Sequence, residues 1–179
     1  CVEYTDYSLR ELFKRISKEP WYKNTLFVFT ADHCSSDIIF DESRTTTGLF
    51  SVPVFFFRPD NSLAGMAPEI IQQADIMPSI LGYLHYDKPY FAFGRDVFRE
   101  ITTPMAFNYR DTYNLFMGDY LLNFNGENTV GLYNFKVDKM LTNDLKYSNR
   151  DVVSEMETKI KAIVQQYNNR MIDNNLRVN

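Results

Sequence analysis

The sequence lacks most of the patterns that identify a protein class directly. Its two cysteines, Cys1 and Cys34, are too few for a disulfide framework. It contains no G-x-G-x-x-G, no phosphate-loop glycine pattern and no G-x-S-x-G, which are the fingerprints of dinucleotide-binding proteins, P-loop proteins and α/β-hydrolases. Its longest apolar run is strand-length and is interrupted by Pro53, whereas a membrane helix needs ~18 apolar residues. We therefore expect none of these classes, and we expect these residues to be soluble.

An excess of positive charge is also missing. The 19 Lys and Arg residues are outnumbered by 23 Asp and Glu residues, which gives a net charge of −4. Proteins that bind the phosphate backbone of nucleic acids usually carry a basic face, so we predict no nucleic-acid partner. A small anionic substrate stays compatible with this charge, because a local metal ion can attract it.

The length and composition are those of a globular domain. The chain has 179 residues, of which 45% are hydrophobic and 16% aromatic, so one domain, or one domain with a small appendage, is expected. Because the first residue is Cys1 and not Met, we expect the chain to be a piece of a longer polypeptide.

The first half of the sequence alternates helical and strand patterns. Apolar residues at helical spacing predict an amphipathic helix that Pro20 ends. Two short, continuously apolar runs predict strands buried on both faces, as in a parallel sheet. A later helix carries Pro78 in its first turn, where a missing N–H costs nothing. In chain order the predicted elements are helix 4–19, strand 25–31, a loop over 34–51 with room for one helical turn, strand 52–58 and helix 72–84.

The second half changes character. Short aromatic-rich segments are separated by turn pairs, among them Gly118-Asp119 and Asn125-Gly126, which favour hairpins. A long amphipathic pattern then predicts a helix over 150–173. The predicted strands of this antiparallel meander are 104–109, 112–117, 120–125 and 130–135.

The strongest chemical signal is the pair Asp32-His33 at the end of the first predicted strand. Ligands in open α/β sheets bind beyond the carboxyl ends of strands, and one oxygen with one nitrogen suits Zn²⁺, Mn²⁺ or a similar ion. Neighbouring residues of a strand point to opposite faces, so a shared metal requires the backbone to turn here. The alternative is that the pair only closes a loop or caps a helix.

A metal site needs more ligands than this pair supplies. The spacing singles out no third ligand, and we expect His85 to be structural. The run Thr45 to Thr47 is interpreted as a solvated loop because nothing nearby would activate its hydroxyls. The remaining candidate ligands are Cys34, Asp37, Asp41, Glu42 and His85.

Several segments together resemble the late core of the alkaline phosphatase superfamily. The resemblance runs from residue 4 to about residue 145 and is closest to the sulfatase-like branch that includes lipoteichoic acid synthases and related phosphoglycerol transferases. Ser79 replaces the usual Thr, and Cys34 stands where the family usually has Gly. The segments are 4–13, 21–33, 52–56, 73–81 (similar to Q-x-D-x-x-P-T-x-L), 93–98 (F-G-x-S/D-L-F) and 132–138 (L-Y-D-L-x-x-D).

The resemblance implies a fold and a domain organisation. Residues 1–100 would be the C-terminal part of an alkaline-phosphatase-like α/β sandwich. Residues 101–179 would be a small antiparallel sheet with a long C-terminal helix.

The resemblance also implies an activity. Asp32 and His33 would be two ligands of a divalent cation, with Mn²⁺, Zn²⁺, Ca²⁺ and Mg²⁺ all open, and the substrate would be a sulfate or phosphate ester. The family's nucleophile lies far upstream, so this chain would contribute metal ligands without the nucleophile, would depend on the upstream part of its own polypeptide, and would be inactive alone.

A cellular setting follows from the same resemblance. The parent would be a bacterial hydrolase or phosphoglycerol-type transferase on the extracytoplasmic face of the inner membrane, anchored only through its N-terminal region. The alternative from another class is a non-catalytic α/β module that binds a partner through its aromatic sheet and holds no metal.

Overall fold

The computed structural model describes residues 2–35, 40–67, 69–99 and 104–178. The chain forms two compact units, one from residues 1–34 and 51–67 and the other from residues 35–50 and 68–179. The predicted domain boundary after residue 100 falls on residues 100–103, which lie outside the described ranges, so that boundary stays a prediction. Among the described residues, no helix is long and apolar enough to cross a membrane.

The first unit contains helix α1 (Val2–Ile16), strand β1 (Phe27–Thr30) and strand β2 (Val54–Phe57). Phe13 of the helix contacts the rings of Phe27, Phe29 and Phe57, with ring centroids 5.4–5.9 Å apart. Aromatic packing therefore covers one face of the strand pair.

The expectation of parallel strands buried on both faces is wrong for this pair. β1 and β2 run antiparallel, with Phe27 opposite Phe57 and Thr30 opposite Val54, and Phe55 is 60% exposed. An apolar run reports how apolar the two faces of a strand are, but it does not set the direction of the neighbouring strand.

The second unit begins in the segment 34–51, for which the sequence predicts a loop with room for one helical turn. A 3₁₀ turn (Asp41–Arg44) leads into the short helix α2 (Thr46–Phe50). The hydroxyl of Thr45 accepts a hydrogen bond from the N–H of Gly48 at 3.3 Å and so caps this helix. Thr45 to Thr47 are half-buried, so their interpretation as a solvated loop is wrong.

Helix α3 (Ile76–Tyr83) follows a 3₁₀ turn (Gln73–Asp75), so the predicted helix exists but is shorter. Pro78 lies in its first turn, as expected. His85, just beyond the helix, has φ of 54°. The N–H of Tyr86 donates to the carbonyl of Leu81 and that of His85 to the carbonyl of Gly82, which is the Schellman pattern of a helix end. His85 thus has a structural role through its backbone.

The aromatic segments form the predicted meander. The four-stranded antiparallel sheet has the order β3-β4-β5-β6, and its first hairpins turn at Asp111 and at Gly118-Asp119. Asp111 and Gly118 both have positive φ, of 61° and 58°, as tight turns require. The strands are β3 (Met105–Arg110), β4 (Thr112–Met117), β5 (Tyr120–Phe124) and β6 (Thr129–Asn134).

Helix α4 (Arg150–Ile172) packs on one face of this sheet. Its residues Met156 and Ile160 are fully buried against Leu115, Leu122 and Leu132. Burying each such side chain stabilises the fold by roughly 1.5–3 kcal/mol. This contact fixes the C-terminal helix to the meander. The apolar side chains between the helix and the sheet form the main core of the unit.

The opposite face of the sheet is partly polar. Asn108, Asn114 and Asn123 are cross-strand partners in register, and a smaller apolar cluster of Phe116, Leu121 and Phe135 lies on the same side. The architecture is therefore mixed α/β with two antiparallel sheets and a C-terminal helix, which confirms the predicted fold class.

Candidate metal centre

Asp32 and His33 lie two and three residues beyond the end of β1 at Thr30, at a point where the backbone bends. The carboxylate of Asp32 accepts a hydrogen bond from the backbone N–H of His33 through Oδ1, at 2.9 Å. Its other oxygen, Oδ2, lies 3.4 Å from Nε2 of His33. The two side chains therefore face each other, whereas neighbours in a continuing strand would point to opposite faces.

A hydrogen bond fixes which ring nitrogen of His33 is available. Nδ1 lies 2.7 Å from the carbonyl oxygen of Cys34, and because a carbonyl only accepts, Nδ1 carries the hydrogen. In the neutral ring, Nε2 then presents its lone pair toward the carboxylate of Asp32. A backbone carbonyl on the second nitrogen is the usual support of a metal-ligating histidine.

The donor set fits a divalent cation. Ligand oxygens and nitrogens lie about 2.0–2.2 Å from Zn²⁺, so two of them on one ion are roughly 3.0–3.5 Å apart. The observed 3.4 Å between Asp32 Oδ2 and His33 Nε2 falls in that range. Two electron-rich atoms at this distance repel unless a proton or a cation lies between them, and both side chains are exposed, 87% for Asp32 and 76% for His33.

Among the described residues, no third ligand joins the pair. Over residues 2–35, 40–67, 69–99 and 104–178, no group of three or more His, Cys, Asp or Glu side chains is placed to hold a metal. Cys34 is a half-buried free cysteine. Asp37 lies outside the described residues, and Asp41, Glu42 and His85 belong to the other unit.

The later motif residues have structural roles. The carboxylate of Asp75 accepts hydrogen bonds from the backbone N–H groups of Gln72 and Arg95. The hydroxyl of Ser79 donates to the carbonyl of Asp75 at 2.6 Å and accepts from the N–H of Val97 at 3.0 Å. A serine hydroxyl is enough for these two bonds, which explains why Ser can replace Thr here.

Gly94, in the motif segment 93–98, is required for a steric reason. A Cβ on Gly94 would collide with the backbone carbonyl of Ala74, so only glycine permits this close approach.

Sequence reasoning found these motif residues but did not single out Arg44 and Arg110, which line one pocket of the second unit. They are far apart in the sequence, and no motif signals their proximity.

Comparison with known proteins supports a sulfatase-like region. Residues 1–86 match the family model described as Sulfatase. Two solved structures share the fold over 88% of this chain: "Crystal structure of Ps i-CgsB", with a TM-score of 0.67 and 18% identity, and "Crystal structure of Ps i-CgsB in complex with k-i-k-neocarrahexaose", with 0.62 and 19%. The chain spans 40% of the length of each. No curated protein sequence matches it.

The family match and the structural comparison both indicate a sulfatase-like fold. The model that matches the first half of the chain is a sulfatase model, and the described architecture corresponds to part of a larger sulfatase-like fold. Identities of 18% and 19% establish the shared fold alone.

Proposed function

We propose that this chain is part of a metal-dependent sulfatase-like enzyme that hydrolyses or transfers a sulfate or phosphate ester, and that Asp32 and His33 are two ligands of its divalent cation. One observation carries the proposal. Within the region that matches the sulfatase model, Asp32 Oδ2 and His33 Nε2 lie 3.4 Å apart, and the hydrogen bond of Nδ1 to the carbonyl of Cys34 leaves Nε2 as the ring nitrogen that could bind a metal.

The roles of the residues follow from their chemistry. A bound cation would supply Lewis-acid stabilisation of the charge on the attacked ester group. Asp32 would bring a negative charge to that ion and would orient the backbone of His33 through its Oδ1 hydrogen bond. His33 would bind through Nε2 while Nδ1 donates to Cys34. The nucleophile and the remaining ligands would come from the rest of the polypeptide, so these residues alone are expected to be inactive.

The finer assignments rest on family resemblance alone. Hydrolysis is the first choice because the matching family model is Sulfatase, and phosphoglycerol transfer of the lipoteichoic acid synthase type is the second. The same resemblance leads us to propose a bacterial parent, anchored upstream of these residues and acting on the extracytoplasmic side.

Ester turnover by the full-length protein tests this function. We expect hydrolysis of an aryl sulfate or aryl phosphate to fall about 100-fold or more in Asp32→Ala and in His33→Ala, because each removes a metal ligand. His85→Ala is the matched control, since it removes the other histidine of the chain and leaves the pair intact. Measurable activity that is the same in wild type and in the Asp32→Ala/His33→Ala variant would contradict the role of the pair in catalysis, and absence of turnover in the wild type would favour the non-catalytic binding module.

A further inference from the structure

A pocket of about 230 Å³ lies on the polar face of the meander, where the β3–β4 turn meets the segment that contains α2. All of the residues that line it belong to the second unit. They are mostly polar, unlike the apolar residues between the sheet and α4. The lining includes Arg44, Thr46, Phe50, Arg110, Asp111 and Asn114.

The pocket lining is positively charged, although the chain as a whole is negative. Its described lining holds two guanidinium groups and one carboxylate, that of Asp111, while the whole chain has a net charge of −4. Within the described part of the chain, neither Arg44 nor Arg110 forms an ion pair. Arginines elsewhere do pair with carboxylates, namely Arg10 with Asp6, Arg58 with Asp60 and Arg99 with Asp96.

A fixed amide group also lines the pocket. Asn114 is 2% exposed, and its Oδ1 accepts hydrogen bonds from Thr112 Oγ1 at 2.9 Å and from Asn123 Nδ2 at 2.6 Å. Its Nδ2 donates to Asn108 Oδ1 at 2.8 Å. These three bonds set the orientation of the amide, and they use one of the two N–H groups of Nδ2, while the second has no hydrogen-bond partner among the described residues. Hydrogen bonds to three neighbouring side chains hold the amide of Asn114 in one position, so its place in the pocket lining is fixed before a ligand arrives.

We propose that this pocket binds a tetrahedral oxoanion, sulfate or phosphate, either as the free ion or as an ester group of a larger ligand. Guanidinium groups match the geometry of such oxygens with paired N–H donors. The amide of Asn114 and the hydroxyl of Thr46 add neutral donors of the kind that oxoanions accept. The proposal concerns these residues alone and does not depend on Asp32 or His33.

Removing the negative charge of Asp111 tests whether the ligand is an anion. Its carboxylate lines the pocket and repels an anion, so Asp111→Asn should tighten binding, by about three- to tenfold for the removal of one nearby charge. Asp111 has φ of 61°, a conformation that Asn tolerates well. This variant therefore keeps the turn and changes only the charge.

The experiment is calorimetric titration of the full-length protein carrying Asp32→Ala/His33→Ala, so that the proposed metal centre does not contribute. Inorganic sulfate, inorganic phosphate and an aryl sulfate are titrated at constant ionic strength, because exposed charges are screened by salt. Arg44→Gln and Arg110→Gln are each expected to weaken binding about tenfold, since each removes a charge-assisted donor. Arg15→Gln, an exposed arginine of α1, is the matched control and should bind as the parent does.

The results separate a built site from general charge attraction. Tighter binding in Asp111→Asn, weaker binding in the two pocket variants and no change in Arg15→Gln would support the proposal. If the aryl sulfate binds more tightly than the inorganic ions, the ligand is an ester group, and otherwise it is the free ion. Absence of binding, or equal affinity in the parent and in Arg44→Gln/Arg110→Gln, would overturn the proposal whatever the outcome for the metal centre.

Discussion

The carboxylate of Asp75 accepts a hydrogen bond from the backbone N–H of Arg95, twenty positions along the chain, with 2.9 Å between Oδ1 and N. Its second oxygen accepts from the N–H of Gln72 at 3.0 Å, and the residue is 1% exposed. One buried side chain therefore satisfies two backbone donors and holds the start of α3 against the segment that leads to the meander.

Replacing this carboxylate should be costly. Asp75→Asn keeps the shape but turns one acceptor into a donor, so one backbone N–H is left facing another N–H in a buried position. We expect a loss of about 2–4 kcal/mol in the free energy of unfolding, measured by urea titration. Asp87→Asn, at an exposed position, is the control. Equal loss in the two variants would mean that the buried hydrogen bonds are unimportant.

The end of α3 offers a stabilising substitution. His85 adopts a left-handed backbone conformation with φ of 54°, which a residue with a Cβ adopts at a cost and glycine adopts freely. His85→Gly should raise the free energy of unfolding by about 0.5–1 kcal/mol. His85→Ala, which retains a Cβ, should remain close to wild type. Equal effects of Gly and Ala on the free energy of unfolding would show that the left-handed conformation at residue 85 has no cost.

The contact between α4 and the meander can be tested by truncating its buried side chain. Met156 is fully buried in the core, whereas Met171 on the same helix is 49% exposed. Met156→Ala should cost about 2–5 kcal/mol because it leaves a cavity. Met171→Ala should stay within about 0.5 kcal/mol of wild type. A small effect at Met156 would show that the helix does not pack on the sheet as described.

A polar contact between β6 and α4 should make stability depend on pH. Glu157 accepts hydrogen bonds from Lys161 and from Thr129 Oγ1, the latter at 2.6 Å. These bonds hold the pKa of Glu157 below its ordinary value of 4.5. The ionised form is therefore favoured in the folded state, so its contribution is complete above pH 4.5 and is lost as the pH falls through the lower folded pKa.

Glu157→Gln isolates that contribution. At pH 7 we expect the variant to be less stable than wild type by about 0.5–1.5 kcal/mol, and at pH 3 we expect the difference to shrink, because the wild-type side chain becomes protonated. Urea titrations at both pH values give the two differences. Glu155→Gln, at an exposed position on the same helix, should show neither effect. A Glu157 difference that is the same at both pH values would rule out a role for ionisation.

Much of the fold was predictable because its signals are local. The turn pairs Gly118-Asp119 and Asn125-Gly126 fix the ends of β4 and β5 to within one residue of prediction. The stripe of apolar residues in α4 predicts a helix over 150–173, and the helix of the structure ends one residue earlier, at Ile172. The direction of β1 against β2 was not predictable, because it depends on which strands pair and not on the apolar runs themselves.

The candidate site was predictable only in part, for a similar reason. The position of Asp32-His33 at a strand end can be read from the sequence, whereas the hydrogen bond from His33 Nδ1 to the carbonyl of Cys34 depends on the local turn. The pocket of Arg44 and Arg110 depends on the packing of a short helix on a sheet, which no spacing rule provides.

The most direct test of the central claim is the metal content of the full-length protein, measured by elemental analysis after purification and dialysis. We predict a divalent metal bound to the wild type and to His85→Ala, and loss of that metal in Asp32→Ala/His33→Ala. The same metal content in the wild type and in the double variant would contradict the assignment of Asp32 and His33 as ligands.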